Sequence, residues 1–271
     1  MLNDITLGQY FPGNSLLHRA DARMKLISAV AFLVAVFLAS GDVSFLFMLL
    51  LTGIIIVISG ISFKTILRSL RPLVVIIAFT AAISIFWAKG DELIFEYGAV
   101  HIYKEGIALA VFMVLRMVCI VSGSFVLLTY TTSPTALTDA LESLISPLKR
   151  LGVPVHEFAM MMTIALRFVS PLIEETDRII CAQKARGADF ESGRIISRIK
   201  ALVPVLIPLF VSAFRRAMEL AQAMECRCYT GGEGRTRMKR PSLRPADFIL
   251  PVVIVAAAVA VVPLNGFSLW L

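Results

Sequence analysis

Five apolar runs constrain this chain more than any other feature: residues 26–40, 43–59, 72–88, 107–130 and 248–264, with Arg116 the single charge inside them. In hydrocarbon a backbone must satisfy its own N–H and C=O groups, and a continuous apolar run does so by closing into a helix. The first two runs are short against the roughly 20 residues that a spanning helix needs, so they draw on flanking residues or sit in thinned bilayer. Composition agrees: 58% of residues are hydrophobic and 17% charged, and mean hydropathy is +0.84, where a soluble domain is apolar in about half its residues. The expected fold is an all-α integral membrane protein of about five spans with a cytoplasmic module of amphipathic helices. Residues 1–130 would form a four-span membrane domain, 131–246 the cytoplasmic module, and 247–271 the last span and tail.

The net charge of +7 would suggest nucleic acid in a soluble protein. Here the cations are segregated along the chain, which points to membrane orientation instead. Arg19, Arg23 and Lys25 precede the first span, Lys64, Arg68 and Arg71 follow the second, and seventeen more lie in 131–247. Between the third and fourth spans Asp91, Glu92, Glu96 and Glu105 outnumber Lys89 and Lys104. The amino terminus is therefore expected in the cytoplasm, and an odd number of spans puts the carboxyl terminus outside. The polar first twenty residues lack an apolar core with a small-residue cleavage site, so the first span is expected to be an uncleaved anchor.

Apolar residues recur at helical spacing in the long interior segment, as in Leu172, Thr176, Ile179, Ile180 and Gln183, then Phe214, Met218, Ala221 and Met224. Three helices are expected, over about 134–150, 155–188 and 193–229, the second bent at Pro171 and the third at Pro204 and Pro208. Stretches 158–172 and 201–214 are apolar enough to compete for the membrane. Each is only about fifteen residues, one contains Arg167 and the other two prolines, so partial burial against the membrane domain is expected. If both crossed, seven spans would leave the orientation unchanged.

The second and third of these helices end alike. Ala185-Arg186-Gly187 and Cys226-Arg227-Cys228 each place an arginine between two small residues at the end of an amphipathic helix. Small neighbours let a partner's backbone approach, and the guanidinium offers five fixed donors to a carboxylate or a row of carbonyls. The competing reading is that such arginines meet anionic lipid. With these triplets the chain resembles the transmembrane T component of energy-coupling-factor vitamin importers, whose two coupling helices carry Ala-Arg-Gly-like triplets. The opening 10–26 (YFPGNSLLHRADARMKL), Leu148-Lys149-Arg150-Leu151-Gly152-Val153-Pro154 and Ala165-Leu166-Arg167-Phe168 fit that family too. The second triplet departs from it by having cysteine on both sides of the arginine.

The resemblance implies a non-catalytic subunit of an ATP-driven importer in the bacterial plasma membrane. It implies two ATP-binding-cassette ATPase subunits, expected as a heterodimer, docked at Ala185, Arg186, Gly187, Cys226, Arg227 and Cys228. It also implies a small membrane-embedded S component that binds a vitamin or other micronutrient. A T-like component of a cobalt or nickel importer is the alternative within the family. A secondary transporter is the alternative of another class; internal repeats, discontinuous spans and membrane acidic residues, its usual marks, are not found in the sequence.

No G-x-x-x-x-G-K-[ST] phosphate loop is present, and Gly231-Gly232-Glu233-Gly234-Arg235-Thr236 lacks both its lysine and its spacing, reading rather as a helix stop and turn. Arg235, Arg237, Lys239, Arg240 and Arg244 are expected to face anionic headgroups. The cysteines (Cys119, Cys181, Cys226, Cys228) and histidines (His18, His101, His156) show no metal-ligand spacing, so neither metal nor cofactor is expected. A charge at mid-span costs roughly 2.5–3.5 kcal/mol, so Arg116 needs a partner: backbone carbonyls, hydroxyls such as Ser122 or Ser124, or another subunit.

Overall fold

Helices dominate the computed structural model, which describes residues 13, 15–87, 93–97, 100–190, 195–232 and 243–266. In chain order the helices are α1 (Leu16–Arg19), α2 (Ala22–Leu38), α3 (Asp42–Ser59), α4 (Phe63–Leu70), α5 (Val74–Trp87), α6 (Lys104–Ser124), α7 (Pro134–Ile145), α8 (Val155–Ala185), α9 (Ile195–Cys226) and α10 (Ile249–Leu264). A 3₁₀ turn at Arg71–Leu73 carries α4 into α5, and a π-helical stretch, Phe125–Tyr130, continues α6. Contacts divide the chain into two units: one over 141–240, the other over 8–140 together with 241–271.

In the second of these, α2 and α10 pack along one another, and α6 packs against α2, α3 and α5. Ala29, Phe32, Ala35 and Val36 of α2 are buried with Met48 and Ile55 of α3, Cys119 of α6, and Ile254 and Val261 of α10. Small residues set the approach of these helices. The Phe32 ring lies so close to Gly123 of α6 that a Cβ there would collide with it. Outward-facing Val30, Val34, Leu50, Ile54, Val75 and Phe79 are apolar as well, as expected of a bundle whose solvent is hydrocarbon.

Among the described residues five helical stretches are long and apolar enough to cross a membrane: Asp42–Ser59, Phe63–Trp87, Lys104–Tyr130, Ile199–Cys226 and Pro245–Leu264. Four match expected spans. The remaining expected span is α2, 17 residues long, or about 25 Å at 1.5 Å per residue, short of the ~30 Å hydrocarbon layer. The stretch in α9 was expected to be too short to span and to be partly buried instead, yet the helix that contains it is long and apolar enough to cross. As expected, one helix runs through Pro204 and Pro208, because neighbouring residues keep helical dihedrals while each proline removes only one hydrogen bond. Pro171 is likewise carried inside α8.

One element lies outside the helical expectation. Leu93–Tyr97 (β1) and Val100–Tyr103 (β2) pair antiparallel, Tyr97 opposite Val100 and Leu93 opposite Tyr103, with a register irregularity between Leu93 and Phe95. In the sequence this stretch reads only as a charged loop between spans.

Candidate docking site at two helix ends

The two arginine triplets fold into the same backbone motif. At the end of α8 the Gly187 N–H donates to Lys184 O at 3.0 Å and the Ala188 N–H to Gln183 O at 3.0 Å. At the end of α9 the Cys228 N–H donates to Glu225 O at 2.9 Å and the Tyr229 N–H to Met224 O at 3.1 Å. These paired bonds are those of a Schellman turn, in which the residue after the C-cap is left-handed. Gly187 has φ 87° and Cys228 has φ 55°. Arg186 and Arg227 thus occupy one structural position, the C-cap, each preceded by the last helical residue and followed by the left-handed one.

This gives the third residue of each triplet a reason that spacing alone does not. Gly187 sits in open space, with nothing within 4 Å of where its Cβ would be; backbone conformation, not crowding, favours glycine there. Cys228 takes the same conformation with a side chain, at a cost on the order of 1 kcal/mol. All six triplet residues are exposed, and neither guanidinium has a partner among the described residues.

Contacts within the 141–240 unit set the two ends apart. Arg216 of α9 pairs with Glu175 of α8 at 2.5 Å, and the Gly232 N–H, beyond α9, donates to Glu157 Oε1 at the start of α8 at 3.2 Å. The helices therefore run antiparallel, with Arg227 toward the start of α8 and Arg186 at its end. At 1.5 Å per residue this separation is on the order of 40 Å. The Glu157 carboxyl is held below the ordinary glutamate value, first by its own backbone N–H and then by that of Gly232. Beside it, His156 Nδ1 meets Glu142 Oε1 of α7 at 3.1 Å.

Apolar side chains cover the outer faces of α9: Ile199, Leu202, Val203, Leu206, Ile207, Phe210, Val211 and Phe214 are all exposed. An apolar face this long is a binding or membrane surface. The unit thus offers a long apolar face on one helix and, at opposite ends of a helix pair, two charged caps without a partner among the described residues.

Arg116 lies in the other unit, away from these caps in sequence and role. Its Nη2 donates to Ala39 O at 2.8 Å, at the C-terminal end of α2, where helix carbonyls favour a cation. Its guanidinium carbon lies 5.3 Å from the centre of the Phe45 ring, and that ring stacks on Phe112 at 4.9 Å. A backbone carbonyl and an aromatic face therefore meet the charge; Ser122 instead donates to Val118 O.

Lys25 and Asn265 tie chain segments together in a way that their sequence positions do not reveal. Lys25, counted only as an orientation charge, is 2% exposed, and its Nζ donates to Thr131 O at 2.9 Å and His18 O at 3.4 Å. Nearby, Asp247 Oδ1 accepts from the Asp21 N–H at 3.3 Å and Oδ2 from the Arg244 N–H at 2.8 Å, so three chain segments meet at one polar cluster. Asn265, within the 247–271 segment expected to hold the last span and tail, accepts from the Ser40 N–H at 3.0 Å and donates to Leu38 O at 2.8 Å, closing the turn between α2 and α3. The only signal for Lys25 was its position one residue before an apolar run.

The cobalt transport protein family matches residues 13–238. The energy-coupling factor transporter transmembrane protein EcfT of Thermosediminibacter oceani is 49% identical, over 99% of this chain and 100% of its own. Proteins of the same name from Ruminiclostridium cellulolyticum and Bacillus subtilis are 52% and 42% identical, the first over 94% of this chain and 95% of its own, the second over 95% and 97%. With five long apolar helices and identity of this extent, the chain is a multi-pass protein of the bacterial cell membrane and belongs to the family of energy-coupling factor transporter transmembrane proteins.

Proposed function

We propose that the chain is the coupling subunit of an energy-coupling-factor importer, joining two cytosolic ATP-binding-cassette subunits to a small membrane-embedded S component. The observation that carries this reading is the repetition of one motif: Arg186 and Arg227 are both exposed C-caps of Schellman turns, at opposite ends of an antiparallel helix pair. Two equivalent charged knobs suit two similar soluble partners, each supplying a groove with acceptors. When ATP brings the ATPases together, the knobs move with them, and helices 31 and 32 residues long carry the displacement as near-rigid levers. The apolar face of α9 is the surface that would pass this motion to a partner within the bilayer. The substrate, a vitamin or other micronutrient, is read by the S component. The match to the cobalt transport protein family favours a second reading, in which the S component serves cobalt or nickel.

The Lys and Arg asymmetry supports an inside amino terminus and an outside carboxyl terminus. With native cysteines replaced, a cysteine at Ser268 should react with an impermeant reagent from outside and one at Ser192 should not; the reverse pattern contradicts the orientation. For the subunit role, gentle solubilisation of the tagged chain should retain two ATPases and one small membrane protein, identified by mass. Recovery of the chain alone under conditions that preserve membrane complexes counts against the role.

A further inference from the structure

A groove in the membrane bundle has no part in that reading. It has a volume of about 840 Å³, lies between α3, α4 and α6, and is walled by Leu50, Gly53, Val57, Phe63, Leu67 and Val118. Two hydroxyls reach its wall, but Thr52 Oγ1 donates to Met48 O at 2.7 Å and Ser122 Oγ to Val118 O at 2.5 Å. An occupant therefore finds no free donor, and hydrocarbon fits best. Along α3 the wall extends from Leu49 to Ile58, about 14 Å at 1.5 Å per residue, or close to half of the ~30 Å hydrocarbon layer. That is the reach of one leaflet's acyl chain.

Charge beside the groove specifies the other end of the occupant. On α4, Phe63 and Leu67 line the groove, while Lys64, Arg68 and Arg71 follow at i, i+4 and i+7 on the adjoining stripe. All three are exposed, and none has a partner among the described residues. The sequence holds no Asp or Glu anywhere in 43–89. We propose that the groove binds one acyl chain of an anionic phospholipid, whose phosphate is held by Lys64, Arg68 and Arg71.

The full chain in lipid nanodiscs, carrying Leu67→Trp with Trp87→Phe and Trp270→Phe, reads occupancy by fluorescence quenching. Phosphatidylglycerol with brominated acyl chains should quench at a mole fraction about tenfold lower than brominated phosphatidylcholine, given the strength of basic clusters for anionic lipid. Replacing all three cations, K64Q with R68Q and R71Q, should bring the two curves together. Gly53→Phe fills the groove where a side chain meets nothing within 4 Å and should remove phosphatidylglycerol from the purified chain seen by native mass spectrometry. The tryptophan variant leaves the groove open, so its result stands even if Gly53→Phe does not fold. Equal quenching by the two lipids, no response to loss of the cations, or release of a protein or second chain instead of lipid by Gly53→Phe would each overturn the proposal.

Discussion

The bundle of 8–140 with 241–271 and the helices of 141–240 use the same residue types in opposite ways. In the bundle, several polar and charged side chains tie helices together through backbone carbonyls, Lys25 to Thr131, Arg116 to Ala39 and Asn265 to Leu38, while the α4 cations stay exposed. In the helix pair such side chains face outward, and Arg186 and Arg227 cap their helices with no partner among the described residues. The first pattern holds helices in one arrangement, because a polar group in hydrocarbon without its acceptor is costly. The second leaves exposed guanidinium groups at little cost to the chain's own stability. Substitutions should therefore separate the regions: stability should suffer in the bundle, and assembly at the helix ends.

The largest stability effect is expected at Lys25. Lys25→Ala removes a buried donor and leaves the Thr131 and His18 carbonyls without it, a loss of about 3 kcal/mol. Thermal unfolding in detergent should show a clearly lowered midpoint; an unchanged midpoint would break the contrast between the regions. Gly123→Ala comes next, since its methyl group must displace the fully buried Phe32 ring, at about 1–3 kcal/mol. Phe32→Leu in the same chain should recover part of that loss, and failure of any rescue would point away from this contact.

Smaller effects are expected at the helix ends, and they differ in sign. Gly187→Ala puts a side chain on a left-handed residue and should cost about 1 kcal/mol, whereas Cys228→Gly relieves one and should gain a similar amount. Hydrogen exchange of the Ala188 and Tyr229 amides, which close the two turns, distinguishes these outcomes. Exchange should quicken in the first variant and slow in the second. The smallest effect is one of pH. Because the folded Glu157 carboxyl titrates below its ordinary value, its bond to Gly232 is fully present above the unfolded glutamate pKa and is lost as pH falls through the lower folded one. The Gly232 amide should lose protection over that acidic window, and Glu157→Gln should flatten the response.

Much of this was legible in the sequence where one physical demand dominates. Hydrocarbon demands long apolar runs, so α3, α5, α6 and α10 stood out, and 3.6-residue periodicity revealed α7, α8 and α9 together with their prolines. The arginine triplets were visible as a pattern, although their third positions were read as room for a partner when the backbone itself requires a left-handed residue there. What was not legible depends on tertiary neighbours. Lys25 looks like any flanking cation until α2 packs beside the end of α6, and Asn265 looks like tail until α10 brings it to the α2–α3 turn. The β1–β2 hairpin carried a short signal in Leu93, Ile94, Phe95 and Tyr97, then Val100, Ile102 and Tyr103, but its acidic residues drew attention to orientation instead.

On the proposed function Arg186 and Arg227 are protein-docking caps. This role is tested most directly by co-purification of ATPase subunits with the Arg186→Ala, Arg227→Ala, Arg186→Lys and Arg227→Lys variants, with Arg178→Ala, an exposed neighbour on α8, as the control. A charge-assisted contact in a protein groove is worth about 2–5 kcal/mol when its partner is left buried and unpaired, whereas one cation facing lipid is worth about 1 kcal/mol and is replaceable by lysine. Lysine lacks the planar fork of the guanidinium. Both alanine variants should lose ATPase, the double variant more than either, and lysine should not restore it, while thermal stability stays that of the unsubstituted chain. Retention of ATPase at the level of Arg178→Ala, or full rescue by lysine, would contradict that role.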